Sequence, residues 1–257
     1  MNKCLSVLSA LLLCASMAAQ SPADGKYVYT EASDLTLTGK LMNTPNPYHR
    51  VDTVQFKGFT KGENSQVRMS SGIGVAFRTN SPSISIITKF GEVGFPSNTG
   101  GFSARGYDLY IKKDGKWLWA GSKAPSGKTA DDPAINNPIT IVDNMDGTMK
   151  ECLMYLPLFS EEYSIRIGVE KGSVLEALPN PFRYRIGIFG SSFTHGTSTS
   201  RAGMTYPANF TRDTGLQLLS LGCSGNSKLQ DYFANVDRKG TRLNSSHQII
   251  SYAVFCL

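Results

Sequence analysis

The stretch that decides the fold is YRIGIFGSSFTHG, residues 184–196. Its first part, 184–189, is a compact apolar run of the length of a buried strand, and Gly190-Ser191-Ser192 then turns the chain sharply toward a helix. A helix over 206–214, a strand over 216–221 and a helix over 228–235 are predicted to follow. Strand, helix, strand and helix in this order are typical of the start of a parallel α/β sheet.

Ser192 is the first candidate for chemistry. It lies just past the end of a buried strand, at the edge where open α/β sheets bind ligands. The helix that follows would point backbone N–H groups at a developing anion, as in a nucleophile elbow, although the local sequence is not GxSxG. Serine is also a common helix cap, so the local pattern leaves both roles open. A phosphate loop is excluded, because five residues separate Gly190 from Gly196 and no lysine follows.

Gly225 and Asn226 come directly after the second predicted strand. A glycine at this point allows close backbone approach, and its N–H can donate to an oxyanion. A simple turn at the strand end is the alternative. Ser224 is not predicted to be a nucleophile, because its glycine neighbours lack the spacing of an elbow.

Residues 27–178 predict β structure, since short runs rich in β-branched and aromatic residues alternate with turn signals and none has sustained helical periodicity. The predicted strands are 51–56, 73–77, 84–87, 107–111, 117–119 and 163–169. Asp114-Gly115 and Asp146-Gly147 predict two-residue hairpin turns. Leu178-Pro179-Asn180-Pro181 is a stiff connector and the predicted domain boundary.

Three segments together resemble the SGNH/GDSL hydrolases. Residues 188–196 resemble the first block of that family, and 221–226 resemble its second block. Gly106-Tyr107-Asp108-Leu109-Tyr110 resembles the Gly-x-Asp-Leu-Tyr signature of an all-β domain found before such hydrolases. The resemblance implies an N-terminal all-β sandwich over 21–180, followed by an α/β domain of the flavodoxin-like, three-layer SGNH type. Only residues 181–236 belong to that α/β domain, so it is predicted to be truncated.

The resemblance also implies the roles of individual residues. Ser192 would be the nucleophile, and the backbone N–H groups of Ser192 and Gly225 would form the oxyanion hole. Asn226 would be a substrate-facing group. The family's oxyanion asparagine block and its Asp-x-x-His segment have no counterpart in the sequence. His195 is not expected to reach the Ser192 hydroxyl as a base, and it is interpreted as a structural or substrate-facing group. Without a base a serine hydroxyl is a weak nucleophile, so the chain as given is predicted to be inactive.

The leading hypothesis is a secreted serine ester hydrolase that acts on acylated glycans or related small-molecule esters. The alternative is a non-catalytic, carbohydrate-binding β-sandwich that uses aromatic rings as stacking surfaces, although alternating strand aromatics are also typical of a core. The candidate rings are Tyr107, Tyr110, Trp117 and Trp119. No cofactor is expected, and no cysteine or histidine spacing suits a metal. Cys152 and Cys223 are interpreted as small buried apolar residues.

The two ends of the chain are excluded from the fold prediction. Residues 1–20 have the layout of a secretory signal, which predicts a secreted or periplasmic protein without a stable membrane anchor. Residues 237–257 resemble translated sequencing-adapter DNA and are predicted to be artefactual, with a short strand over 249–255 as the alternative. Without the charges of Lys3, Arg238, Lys239 and Arg242, the formal net charge of +6 falls to +2. That charge gives no support for a nucleic-acid partner.

Overall fold

The computed structural model describes residues 25–227, 230–240 and 249–253. The predicted signal sequence, residues 1–20, lies outside the described residues. No helix among the described residues is long and apolar enough to cross a bilayer.

Four antiparallel strands form the first sheet. They are β1 (Tyr27–Glu31), β4 (Ile84–Val93), β7 (Ile139–Val142) and β9 (Ser160–Glu170). Their spatial order is β1-β9-β4-β7, and the long pair β4 and β9 forms its centre.

Six antiparallel strands form the second sheet. They are β2 (Thr36–Thr38), β3 (Gly74–Thr79), β5 (Tyr107–Lys113), β6 (Lys116–Lys123), β8 (Lys150–Tyr155) and β10 (Leu175–Ala177). The order is β10-β3-β8-β5-β6, and β2 also pairs with β3. The predicted turn at Asp114-Gly115 is confirmed: both residues have positive φ, 51° and 78°, and Lys113 pairs with Lys116. These angles match the twist of a tight hairpin.

One hydrophobic core joins the two antiparallel sheets. Ile86, Ile165 and Ile167 of the first sheet and Val75 and Phe77 of the second belong to the same buried cluster. Their side chains are fully buried. Alternation along each strand therefore directs one apolar face of each sheet toward the other.

The third sheet is parallel, as the sequence predicts. Its strands are β11 (Arg183–Gly190), β12 (Leu216–Gly222) and β13 (Ile249–Ala253), in the order β12-β11-β13. Its helices are α3 (Ser192–His195), α4 (Tyr206–Thr214) and α5 (Asp231–Gly240), so the last helix begins three residues later than predicted. The position of β13 agrees with the alternative interpretation of the tail as a strand, and the artefact interpretation stays a prediction.

The prediction that residues 27–178 contain no helix is wrong. Helix α1 covers Lys61–Arg68, and the short helix α2 covers Gly101–Ala104. At the start of α1 the Thr60 side chain accepts from the Glu63 N–H, and the Glu63 carboxylate accepts from the Thr60 N–H. This reciprocal capping box is a sequence signal, T-x-x-E, that the strand-dominated pattern around it concealed.

The predicted strand over 51–56 is also wrong. Asp52 accepts the N–H groups of Val54 and Gln55 with its side chain, which folds the segment into a turn. Its apolar residues, Val51 and Phe56, are buried for a different reason. They join a cluster with Leu219 and Leu221 of β12. The apolar run therefore reflects contact with the parallel sheet rather than membership of an antiparallel one.

The second predicted hairpin turn, at Asp146-Gly147, is wrong as well. The flanking strands β7 and β8 belong to different sheets, so no hairpin connects them. Neither residue has positive φ. The Asp146 side chain accepts the N–H of Thr148 instead, which makes a local turn in a crossing between sheets.

The parts on either side of the predicted boundary pack tightly against each other. The connector 178–181 lies between β10 and β11. Leu178 and Phe182 share a buried cluster with Leu153 of the second sheet and Ala208 of α4. The two predicted domains therefore share apolar surface, and the boundary between them stays a prediction. Cys152 and Cys223 are free and buried.

Candidate active site

Ser192 is the first residue of α3, and one residue, Ser191, separates it from the end of β11. Ser191 occupies the N-cap position and makes no side-chain capping bond. The capping alternative for Ser192 therefore fails, because Ser192 lies inside the helix. Its backbone N–H is in the first turn, where no intrahelical acceptor is available. A Cβ on Gly190 would lie 2.0 Å from the Thr194 hydroxyl, so only glycine permits this sharp turn.

Gly225 lies in the loop after β12, and this loop adjoins the Ser192 turn. The N–H of Cys223 donates to the carbonyl oxygen of Gly190 over 3.0 Å. Gly225 has φ of 71°, which L-residues other than glycine rarely adopt, and a Cβ there would contact nothing within 4 Å. The Ser192 turn and the Gly225 loop are thus brought together at the carboxyl edge of the parallel sheet, as their sequence positions predict.

His195 is fully buried, with both ring nitrogens engaged. Its Nε2 donates to the carbonyl oxygen of Leu158 over 2.7 Å, and its Nδ1 accepts the N–H of Ser224 over 3.2 Å. The ring stacks on Phe159 at 4.1 Å between centroids. Burial, followed by the charge of Arg50, lowers the pKa of His195 well below its usual value. The substrate-facing interpretation of His195 does not fit this geometry, whereas the structural one does.

Asn226 remains partly accessible beside the Gly225 loop. Its side-chain amide donates to the Ser224 carbonyl oxygen over 3.1 Å, which leaves its side-chain oxygen as an acceptor. The other described histidine, His49, bonds Asn46 and Glu161 within the part of the chain that precedes β11. No cluster of three potential metal ligands occurs in the described ranges.

Arg50 supports the edge of β12, and the sequence analysis did not single it out. The residue is 1% exposed. Its Nη1 donates to the carbonyl oxygens of Gly222 and Ser220 over 2.8 and 3.3 Å, whereas Nε and Nη2 donate to Met69 and Gln66 over 2.9 and 2.6 Å. One guanidinium therefore ties the end of α1 to the end of the strand that leads into Gly225. No local sequence signal marks such a residue.

Asp108 of the Gly-x-Asp-Leu-Tyr segment joins the second sheet to the segment between α3 and α4. Its fully buried carboxylate accepts from the Gly203 N–H at 2.9 Å, Trp119 Nε1 at 3.0 Å, Arg201 Nε at 3.2 Å and the Tyr110 hydroxyl at 3.2 Å. Burial raises the pKa of Asp108, and the charge of Arg201 opposes that rise. The carboxylate thereby fixes the segment between α3 and α4 onto the second sheet.

The four aromatic rings of the alternative hypothesis do not form one surface. Tyr107 and Tyr110 are buried, and Trp117 packs against Phe182. Trp119 is 55% exposed, but Arg201 lies over its ring at 4.9 Å. Most of this set is therefore core, as alternating strand aromatics generally are.

Ser192 at the strand-to-helix turn and the Gly225 loop lie at the same sheet edge, and family models match both parts of the chain. The family model "GxDLY: N-terminus of Esterase_SGNH_hydro-type" matches residues 26–175. The model "GDSL-like Lipase/Acylhydrolase family" matches residues 183–238. The chain belongs to this family of SGNH-type esterases with a GxDLY N-terminus.

Two solved structures resemble the chain. A protein from Bacteroides ovatus described as a GDSL-like lipase is 34% identical, with a TM-score of 0.79, over 88% of this chain and 64% of its own. The salicylyl-acyltransferase of a tetracycline biosynthetic pathway is 21% identical, with a TM-score of 0.61, over 83% of this chain and 59% of its own. The second likeness shows the fold alone. The chain thus spans about three fifths of the length of these relatives. No curated protein matches it.

Proposed function

We propose that the protein is a secreted serine ester hydrolase that acts on acylated glycans or related esters. The observation that carries the proposal is the bond between Cys223 N–H and the Gly190 carbonyl oxygen, which brings the Ser192 turn and the Gly225 loop together. In this scheme the two antiparallel sheets form a sandwich domain over 21–180, and 181–236 begin the SGNH domain.

The chemistry is acyl transfer in two steps. Ser192 Oγ attacks the ester carbonyl and loses its proton to a base, while the N–H groups of Ser192 and Gly225 donate to the oxyanion. The alcohol leaves with a proton, and water then attacks the acyl-enzyme to release the acid and free Ser192.

His195 is not available as the base of this scheme, because its ring nitrogens bond to backbone groups. The family resemblance assigns the base and its carboxylate to an Asp-x-x-His segment, which has no counterpart in this sequence. The 257-residue chain is therefore proposed to be inactive by itself.

The test compares two forms of the protein, this chain and an enzyme that spans the full length of its relatives. With p-nitrophenyl acetate, Ser192→Ala should remove nearly all turnover from the longer form and change nothing in the shorter one. Ser126→Ala, at an exposed serine outside the site, is the matched control and should keep full turnover. Full activity of the Ser192→Ala enzyme would refute the proposal.

A further inference from the structure

A cleft of about 810 Å³ opens beside the Gly225 loop. The residues that line it include Lys61, Asn64, Gln66 and Arg68 of α1, Phe95, which follows β4, and Ser224, the residue before Gly225. The cleft is therefore built mostly by the N-terminal part of the chain and includes one residue of the candidate oxyanion loop.

One hydrogen bond fixes the cleft relative to that loop. The side-chain amide of Gln66 donates to the Ser224 carbonyl oxygen over 2.9 Å. A ligand in the cleft would thus lie against α1 and reach the loop that carries Gly225.

The walls of the cleft combine hydrogen-bonding and apolar groups. Seven of the residues that line it have polar or charged side chains, and Met69, Phe95, Pro96 and Phe159 supply apolar surface. Asn64 and Ser65 of α1, together with Ser224, bring amide and hydroxyl groups to this lining. Such groups can exchange hydrogen bonds with the hydroxyl groups of a ligand.

The charges and the aromatic surface of the cleft narrow the class of ligand further. Arg68 is balanced by Glu161 at 2.9 Å and Glu92 at 3.8 Å, so its charge is not left for an anion. Phe95 is 46% exposed, and Arg105 lies over its ring at 4.8 Å. An exposed ring among amide and hydroxyl groups matches the apolar faces and polar edges of a sugar ring.

We infer that this cleft binds the saccharide portion of the ester, as a neutral sugar chain whose acylated hydroxyl points toward Ser192. The inference rests on the proposed function, because the saccharide is taken to be the alcohol part of that ester. It adds a subsite formed by α1 and Phe95, next to the site of bond cleavage.

The experiment measures saccharide binding by titration calorimetry, on this chain and on the enzyme that spans the length of its relatives. The probes are hexaoses of β-linked glucose, xylose and mannose, with octanoate as the acyl-chain probe. We expect one hexaose to bind, Phe95→Ala to weaken its binding about tenfold, and Asn64→Ala to weaken it about fivefold. Alanine is a strong helix former, so Asn64→Ala keeps α1 intact.

Two variants serve as matched controls. Phe102 is 49% exposed and lies outside the cleft lining, so Phe102→Ala should leave the binding constant unchanged. Trp119→Ala tests the exposed ring on β6 and should also have no effect. Loss of binding in Trp119→Ala but not in Phe95→Ala would overturn the inference. Binding of octanoate alone, or of no probe, would overturn it too.

Activity separates the two proposals. If Ser192-dependent hydrolysis occurs while the cleft variants leave both KM and hexaose binding unchanged, the subsite is wrong and the hydrolase stands. If hexaoses bind in a Phe95-dependent way but no ester is turned over, the proposed reaction is wrong and saccharide binding in the cleft stands.

Discussion

The guanidinium of Arg50 donates a 2.8 Å hydrogen bond to the carbonyl oxygen of Gly222, 172 residues away in the sequence. Gly222 is the last residue of β12, three residues before Gly225. The position of the candidate oxyanion loop therefore depends on a residue from the turn before α1. The part of the chain that matches the GxDLY model therefore supports the part that matches the GDSL-like model.

Replacing Arg50 by lysine should destabilise the protein strongly. Lysine keeps the charge but lacks the planar fork that serves four carbonyl oxygens on two elements. We expect the free energy of unfolding to fall by about 2–4 kcal/mol, measured by urea denaturation. Arg183 is exposed, so Arg183→Lys should stay within about 0.5 kcal/mol of the parent. In the longer enzyme Arg50→Lys should also lower kcat more than it raises KM.

Asp108→Asn should loosen the segment between α3 and α4. The neutral amide cannot accept all the donors that the carboxylate binds, and it leaves the Arg201 charge without its partner. We expect a loss of about 2–4 kcal/mol and new protease cleavage near 196–205. Asp114→Asn in the β5–β6 turn preserves a turn-forming residue and should change neither measurement. An unchanged digestion pattern for Asp108→Asn would contradict the role of Asp108 as a junction.

Gly225→Ala should reduce turnover in the longer enzyme by more than its effect on stability explains. A Cβ meets no atom at this position, so the cost is the positive φ, about 1–2 kcal/mol. Any relaxation of φ turns the N–H away from the oxyanion, and losing one donor costs about 10²–10³ in kcat. Gly115 has φ of 78° and equally open surroundings, which makes Gly115→Ala the matched control. Equal kcat values in the two variants would show that Gly225 does not contribute to the oxyanion hole.

Glu162 should make stability depend on pH. Burial raises its pKa from 4.5 to about 8, against the hydrogen bonds from Ser70 and Tyr107. Between these values the folded state holds a proton that the unfolded state has released, so this group's contribution to stability falls as pH rises. The slope is at most about 1.4 kcal/mol per pH unit.

Glu162→Gln isolates that contribution. Burial lowers the pKa values of His195 and Lys40, which gives slopes of the opposite sign, so parent and variant must be compared. We expect the variant to gain stability relative to the parent from pH 5 to pH 8, measured by urea denaturation at each pH. A constant difference across this range would show that Glu162 is ionised in the folded protein.

The sequence by itself determined the elements whose signals are local. The strand predicted over 184–189, the turn at Ser192 and the helix predicted over 206–214 follow from apolar runs and glycine positions within a few residues of each other. The hairpin at Asp114-Gly115 follows from the same kind of signal, because positive φ at two adjacent positions is a local preference. The placement of Ser192 and Gly225 at one edge follows from parallel strand order alone.

The features that depend on contacts between residues distant in the sequence were decided only by the tertiary structure. In the sequence, the apolar residues Val51 and Phe56 look like part of a buried strand. In the structure they are buried because they pack on β12. His195 follows a candidate nucleophile closely, yet burial and two backbone partners give it a structural role. Arg50 carries no local signal, because all its acceptors are backbone carbonyls that come within reach only after the sheets have packed. Hydrogen bonds to main-chain oxygens do not depend on the partner's side chain, so no residue pattern records them.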